Sequence, residues 1–166
     1  QAGIMSSTKP DNPFRDWTKV FLPYCTQDLH IGGGVTNDFP EMTVHRYGAR
    51  NVQASLRYVR DVLWVAMDAT DPTGYRPDRL TAIISGSSAG GFGAAYNYQF
   101  VLDELQWEHA TSVQDAGLGM DNGGPDGVFA LAAIALLPTS PGWGSRPYFA
   151  PYCLAPTCAE TYINLD

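Results

Sequence analysis

Apolar residues recur at three- and four-residue intervals between residue 50 and residue 66. These positions are Val52, Leu56, Val59, Leu63 and Ala66. Because an α-helix has about 3.6 residues per turn, this spacing places all of them on one face. The charged residues of the stretch fall off that face, as expected for the side of a helix that meets solvent. The pattern therefore predicts an amphipathic helix.

Compact runs of β-branched and aliphatic residues predict three short strands. They cover residues 19–24, residues 80–85 and residues 111–114. The second run is dense in β-branched residues, which is typical of a buried strand. Helical patterns follow at residues 89–105 and residues 128–137. This repeated alternation of strand and helix predicts an α/β fold with a parallel sheet.

Two longer stretches are predicted to be loops. Residues 1–17 are polar and turn-rich, and residues 25–47 contain three consecutive glycines at 32–34. The chain shows no internal repeat, no low-complexity run and no linker that would divide it. Residues 1–166 are therefore expected to belong to a single domain.

Length, charge and composition narrow the class of protein. The chain has 166 residues, a formal net charge of −7 and 45% hydrophobic residues, which favours a domain with a buried core over a disordered chain. The acidic balance argues against nucleic acid as a partner, because phosphate backbones are bound by positive patches. No apolar run approaches the roughly 20 residues that span a bilayer, so no membrane span is predicted.

Cys153 and Cys158 lie close together in a Pro-rich loop. Their spacing predicts a short disulfide, and such a bond is typical of a secreted or periplasmic protein. The same pair is weak as half of a zinc site, because no second pair of ligands follows it. Cys25 has no assigned partner.

Residues 86–90 read Gly-Ser-Ser-Ala-Gly and match the pattern G-x-S-x-G. The pattern falls between a predicted buried strand and a predicted helix, where a sharp turn would strain Ser88 and push its hydroxyl outward. The amide of Ala89 would then lie at a helix N-terminus, well placed to donate to an oxyanion. Both flanking glycines would be needed, because a Cβ would collide with the neighbouring strand or helix. The alternative interpretation is a glycine-rich strand-to-helix turn without a chemical role.

A nucleophilic serine needs a base, and the sequence offers no convincing one. His109 is the only histidine after Ser88 and lies at the end of a predicted helix, where a surface role is the better interpretation. His30 and His45 precede the serine, against the usual order of a hydrolase triad. Asp115 follows a predicted strand and suits either a catalytic acid or the cap of a turn.

Asp28 and His30 come shortly after the first predicted strand. Ligands in open α/β sheets collect outside the carboxyl ends of the strands, so both residues are candidates for a pocket beside Ser88. A hydrogen-bonded loop is the equally weighted alternative. A metal site formed by these two residues and His45 lacks helical or hairpin spacing, and no metal is predicted.

Several segments resemble the pectin acetylesterase and Notum family. Residues 23–32 read Pro-Tyr-Cys-Thr-Gln-Asp-Leu-His-Ile-Gly, and residues 86–91 read Gly-Ser-Ser-Ala-Gly-Gly. Residues 113–117 read Val-Gln-Asp-Ala-Gly, and the lead-in with Gly-Ile-Met-Ser at 3–6 and Trp17 is similar as well. The resemblance extends over most of the chain and looks closest to the bacterial members.

The resemblance implies an α/β-hydrolase fold, with three layers and a mostly parallel sheet, and carboxylic ester hydrolysis by a Ser-His-Asp triad outside the cytoplasm. It maps the nucleophile onto Ser88 and one oxyanion donor onto Ala89. The family's acid and base lie downstream of the last residue here. The candidates for pocket residues are Asp28, His30, Ser87 and Asp115. Of these, Ser87 stands where many relatives have cysteine.

These observations predict a serine esterase seen through its central part, an incomplete catalytic domain. Its substrate would be a small-molecule or polysaccharide acyl ester, with pectin acetyl groups, other acetylated polysaccharides and acyl-modified proteins all open. The reaction requires no cofactor, and a companion chain or segment would supply the triad acid and base. The competing hypothesis is a non-catalytic binding module of the same fold that keeps the turn but lacks a base.

Overall fold

The computed structural model describes residues 3–64, 81–107, 109–116, 138, 140 and 142–145. Its elements, in chain order, are a 3-10 turn (Gly3–Met5), strand β1 (Val35–Phe39), strand β2 (Met42–Arg46), helix α1 (Gly48–Tyr58), a π-helical stretch (Val59–Trp64), strand β3 (Thr81–Ser87), helix α2 (Ala89–Asp103) and strand β4 (His109–Asp115). They form two small sheets, an antiparallel one from β1 and β2 and a parallel one from β3 and β4.

A strand–helix–strand unit forms the centre of the described structure. Strand β3 pairs in parallel with β4, with Thr81 opposite His109 and Ser87 opposite Asp115. Helix α2 connects the two strands and packs against both. The two strands, the helix between them and their parallel pairing confirm the sequence-based prediction. The sequence pattern predicted that this strand stops at Gly86. Strand β3 instead continues to Ser87, so the turn follows the strand directly.

The hydrophobic core lies between this unit and helix α1. Its buried members are Val52, Leu56, Val101, Leu105, Trp107 and Ala110. Ala82 and Ile84 of β3 pack against the same cluster, because alternate residues of a strand point to one face. Burying a side chain of this kind stabilises a fold by about 1.5–3 kcal/mol. The cluster therefore fixes how both helices lie on the sheet.

The predicted amphipathic helix is α-helical only in its first part, which is α1. Val52 and Leu56 are buried, and Val59 packs against the same core. From Val59 to Trp64 the chain is π-helical, so the prediction of a regular α-helix is wrong there. A π-helix pairs residues five apart, and the three- and four-residue spacing no longer defines its faces. Ala66 lies outside the described residues.

Residues 19–24 form no strand, contrary to the prediction. Pro23 has no N–H to donate, and no described strand pairs with this segment. Leu22 packs against the core, whereas Phe21 is 74% exposed. Val20 and Leu22 border an open apolar groove of about 420 Å³. The groove is lined by Val20, Leu22, Ala54, Ser55, Tyr58, Val59 and Leu63.

An antiparallel hairpin occupies part of the stretch that the sequence predicts as a loop. Its strands β1 and β2 pair from Val35 opposite Arg46 to Phe39 opposite Met42. Two of its buried residues are polar, and Arg46 Nε donates to Asn37 Oδ1 at 2.8 Å. Because alternating hydrophobicity is the sequence signal of a half-buried strand, a partly polar inner face hides this hairpin from the pattern.

Some predictions concern residues outside the described ranges. These are the helix at residues 128–137 and the disulfide between Cys153 and Cys158. Cys25 lies within the described part and has an exposed, free thiol. In that part of the chain, no helix is long and apolar enough to cross a bilayer.

A bidentate ion pair joins α1 to the end of α2. Arg57 Nε and Nη2 donate to the two carboxylate oxygens of Glu104 at 2.5 and 2.7 Å. The guanidinium also lies over the ring of Phe100, 5.1 Å from its centroid. These hydrogen bonds hold the pKa of the Glu104 carboxyl below its usual value of 4.5. Both side chains are roughly two-fifths exposed, so water screens the pair.

Glu104→Gln is expected to lower the free energy of unfolding by about 0.5 kcal/mol at pH 7. A carboxyl with a lowered pKa in the folded state stabilises the fold above its ordinary pKa, and this stabilisation is lost as the pH falls through the folded-state value. The difference between variant and wild type should therefore shrink at pH 3, as measured by urea denaturation. Asp61→Asn is the control, because Asp61 pairs with its neighbour Arg60 and joins no second element. An equal loss for Glu104→Gln at both pH values would contradict the assignment.

Candidate active site

Ser88 forms the junction between strand β3 and helix α2 in a rarely populated backbone conformation. Its φ is 54° and its ψ is −119°, a region that costs a non-glycine residue about 1–3 kcal/mol. Hydrogen bonds hold it there: the Ser88 N–H donates to the Asp115 carbonyl at 2.8 Å, and the Ser88 carbonyl accepts from the N–H groups of Gly91 and Phe92. The side chain is exposed. The chain thus turns sharply and presents the hydroxyl outward, as the sequence predicts.

The turn requires two main-chain segments to lie very close together. A Cβ built on Gly86 would lie 2.1 Å from the carbonyl oxygen of Gly90 and 2.2 Å from its carbonyl carbon. A Cβ built on Gly90 would meet no described atom within 4 Å. The expectation that a Cβ would collide at both glycines is therefore confirmed for Gly86 and wrong for Gly90. The main chain of Gly90 is what a Cβ on Gly86 would strike, whereas the Cβ position of Gly90 itself is open.

The first turn of α2 leaves donors beside the Ser88 side chain. The N–H groups of Gly91 and Phe92 bond to the Ser88 carbonyl, and the hydroxyl of Ser88 makes no capping hydrogen bond. Within the described ranges, the N–H groups of Ala89 and Gly90 have no main-chain acceptor. They point from the positive end of the helix dipole, where negative charge is stabilised. This arrangement can hold an oxyanion that forms next to the hydroxyl.

The register of the sheet places Asp115 beside the turn. Ser87 lies opposite Asp115 at the carboxyl ends of the two strands, and both residues are exposed. The structure therefore brings Ser87, Ser88 and Asp115 together at the carboxyl end of the parallel strands. His109 begins β4 at the opposite end, instead of ending a helix as predicted. At a rise of about 3.3 Å per residue, the length of β4 puts His109 roughly 20 Å from Asp115 at the carboxyl end of the strand.

Asp28 is fully buried, and its carboxylate is occupied by groups of the chain itself. Oδ2 accepts the Gly48 N–H at 2.7 Å, and Oδ1 accepts the Thr26 hydroxyl at 2.6 Å. A negative charge at the start of α1 also stabilises the helix dipole. For Asp28 the geometry favours the hydrogen-bonded loop, the alternative to a pocket role.

His30 lies in a strained loop that packs against α2. Gln27, Leu29 and His30 all have left-handed φ values, of 49°, 56° and 60°. The Cβ of His30 would be only 2.7 Å from a Cβ built on Gly93, and its carbonyl accepts the Asn97 Nδ2 at 3.0 Å. Burial lowers the pKa of the imidazole below its usual 6.5, although the nearby Asp28 carboxylate raises it. The loop therefore seats a neutral ring on the helix that begins at Ser88.

His45, the third histidine considered from the sequence, lies elsewhere. It stands on β2 of the hairpin, exposed, with Nδ1 at 3.1 Å from the Thr36 hydroxyl.

Sequence reasoning missed two side chains that hold the His30 loop in place. The buried guanidinium of Arg46 donates to the main-chain carbonyls of Thr26 and Gln27 and lies 5.5 Å from the ring centroid of Trp143. Asn97 donates from α2 to the His30 carbonyl. No local motif indicates the role of Arg46, whereas an asparagine among small and aromatic residues in the middle of α2 was a usable signal for Asn97.

Comparison with known proteins gives one family and, among the relatives, two carboxylesterases. A family model described as Pectinacetylesterase matches residues 1–134. Palmitoleoyl-protein carboxylesterase NOTUM of Homo sapiens is 29% identical over 119 residues, and Palmitoleoyl-protein carboxylesterase notum1 of Xenopus laevis is 27% identical over 118. Each of these matches covers 70% of this chain, which spans only about a fifth (21%) of the relative's length. No solved structure matches the chain.

Gly86→Ala and Gly90→Ala are expected to differ sharply in stability. The first substitution forces main-chain atoms apart and should lower the free energy of unfolding by about 1–3 kcal/mol, as overpacking does. The second places a methyl group in open space within a helix and should be neutral or stabilising by up to about 1 kcal/mol. Urea denaturation of the two variants measures the difference. Equal destabilisation by both would contradict the close approach described above.

Proposed function

Because the chain belongs to the pectinacetylesterase family, we propose that it is part of a serine-dependent carboxylic ester hydrolase with Ser88 as its nucleophile. The observation that carries this proposal is the strained backbone of Ser88 at the strand-to-helix turn. A serine held this way, with helix N–H groups beside it, presents its hydroxyl to an acyl carbonyl. The relatives support ester chemistry, since they are named as carboxylesterases.

In the proposed reaction, the Ser88 hydroxyl gives its proton to a histidine while its oxygen attacks the acyl carbonyl carbon. The carbonyl oxygen becomes an oxyanion, which the N–H of Ala89 stabilises together with other main-chain donors. When this intermediate collapses, the alcohol leaves with the proton from the histidine and the acyl group stays on Ser88. Water then attacks the acyl-enzyme, releases the acid and restores the hydroxyl.

The β3–α2–β4 unit would be the central part of an α/β-hydrolase sheet. Parallel strands are usually covered on both faces, yet Val113 of β4 is 46% exposed. This supports the proposal that residues 1–166 are an incomplete catalytic domain. A companion chain or segment would then supply the triad histidine and acid. Ser87 and Asp115 would line the pocket, because the sheet register places both beside the turn.

The proposed substrate is an acetyl ester of a polysaccharide or of a similar small molecule. The family description supports it, because a pectinacetylesterase removes acetyl groups from a polysaccharide. The relatives are named for palmitoleoyl-protein, so an acyl-modified protein is the other ester to test. The proposed location is outside the cytoplasm, secreted or periplasmic, which agrees with the disulfide predicted between Cys153 and Cys158.

A non-catalytic binding module is the second candidate function. The position of His109 favours it, since this histidine begins β4 at the end of the strand away from Ser88. A chain that kept the turn without recruiting a histidine would bind an ester and leave it intact.

Ser88→Ala in the full-length protein should lower ester turnover by several orders of magnitude. The hydroxyl is lost, while the N–H that bonds to Asp115 remains, so the fold should be retained. An active-site-directed phosphonate should label Ser88 alone, as read by peptide mass spectrometry. Ser87→Ala is the matched control and should keep the label. Labelling at Ser87, or full activity of Ser88→Ala, would refute the assignment, and a wild-type protein that neither reacts nor turns over acetyl esters would favour the binding module.

A further inference from the structure

The ring of His30 lies on the same helix as the proposed nucleophile and near its first turn. The ring atoms Cγ and Cδ2 would both be 3.0 Å from a Cβ built on Gly93. Gly93 follows Ser88 by five residues, which corresponds to about 7.5 Å along a helix axis. The His30 carbonyl bonds to Asn97, one turn further along α2. Asn97 Nδ2 also donates to the Gly93 carbonyl at 2.9 Å, so the carbonyl and the ring of His30 both lie beside Gly93.

An aromatic ring also contacts this imidazole. The ring of Tyr24 lies 4.9 Å from it, measured between centroids. The Tyr24 hydroxyl accepts the Leu29 N–H at 2.9 Å, which ties the tyrosine to the same loop. In this loop Gln27, Leu29 and His30 have left-handed backbone conformations. Strain of this kind persists where the surroundings enforce it and is concentrated at functional sites.

The hydrogen-bonding atoms of this ring are not used by the loop. The Asp28 carboxylate, the Tyr24 hydroxyl and the Asn97 amide all bond to groups of the chain. Neither ring nitrogen of His30 bonds to any residue in the ranges that the structure describes. Burial lowers the pKa of the imidazole, so the ring is neutral at pH 7 and offers one donor and one acceptor. A ring that packs against Tyr24 and Gly93 while its nitrogens stay free is preorganised to bind a polar group of a ligand.

We propose that His30 and Tyr24 form the subsite for the alcohol part of the ester, where the imidazole hydrogen bonds to a hydroxyl group of a saccharide. A saccharide ring offers hydroxyls that suit a neutral imidazole, and apolar C–H faces that suit an aromatic ring. Tyr24 supplies that ring, since it is 43% exposed beside His30. The assignment rests on the proposed esterase function and adds the residues that determine the specificity for the alcohol part of the ester.

The test compares two acetyl esters that differ in the alcohol. The full-length protein is assayed with an acetylated methyl glycoside and with p-nitrophenyl acetate, whose alcohol part carries no further hydroxyl. His30→Phe keeps an aromatic ring beside Tyr24 and Gly93 and removes both nitrogens. It should lower the ratio of kcat/KM for the glycoside to kcat/KM for the aryl ester about tenfold, through KM, because one hydrogen bond is lost. His45→Phe is the matched control on the hairpin and should leave the ratio unchanged.

A second measurement separates this proposal from the esterase function itself. In the Ser88→Ala protein, the 15N resonances of the His30 imidazole should shift when the acetylated glycoside is added, and those of His45 should not. A shift without hydrolysis by the wild type would support the subsite and refute the esterase. Hydrolysis by the wild type with an unchanged ratio in His30→Phe, or with no shift at His30, would refute the subsite and leave the esterase standing.

Discussion

One steric constraint governs the described structure: at Gly86 the main chain of β3 lies against the carbonyl group of Gly90. No side-chain atom fits between them, so the chain reverses within a few residues and the helix begins at once. Ser88 at the apex takes a backbone conformation that serine rarely adopts. The strain of about 1–3 kcal/mol is offset by the parallel ladder and by the core beneath α2. Because of this contact, the Ser88 hydroxyl lies beside the N–H donors in the first turn of α2.

Buried electrostatics provide the second support, in the loop that packs against Gly93 and Asn97 of α2. Asp28 meets the N-terminus of α1, and Arg46 binds two main-chain carbonyls of the same loop. Each charge is hydrogen bonded to main-chain groups and to one side chain, Thr26 for Asp28 and Asn37 for Arg46, which is what allows ionisable side chains to be buried at tolerable cost. Between them the chain passes through Gln27, Leu29 and His30 in left-handed conformations. Hydrogen bonds therefore support the shape of the loop that carries the imidazole, together with the packing of Leu29 and Ile31 against Trp143.

The sequence predicted the part of the fold that hydrophobic patterning controls. The strands β3 and β4 are short runs that contain β-branched and aliphatic residues, the helix α2 follows the first of them, and the G-x-S-x-G pattern located the turn between the two. The hairpin was missed because Asn37 and Arg46 are buried polar residues on its inner side. The segment at 19–24 has the composition of a strand, but composition does not reveal whether a neighbouring strand will pair with it.

The same limit applies to the candidate site. Ser88 could be identified from its local sequence, because the turn that strains it is itself local. The contact of His30 with Gly93, and the roles of Arg46 and Asn97, join residues far apart in the chain. No single-sequence pattern encodes such pairs. The conformation of Ser88 depends on one of them too, since its N–H bonds to Asp115 at the end of β4. The backbone conformation of Ser88 can therefore form only after β4 has been synthesised and paired with β3. Local opening of the last residues of β4 would break this hydrogen bond, so the geometry of the turn depends on a strand much further along the chain.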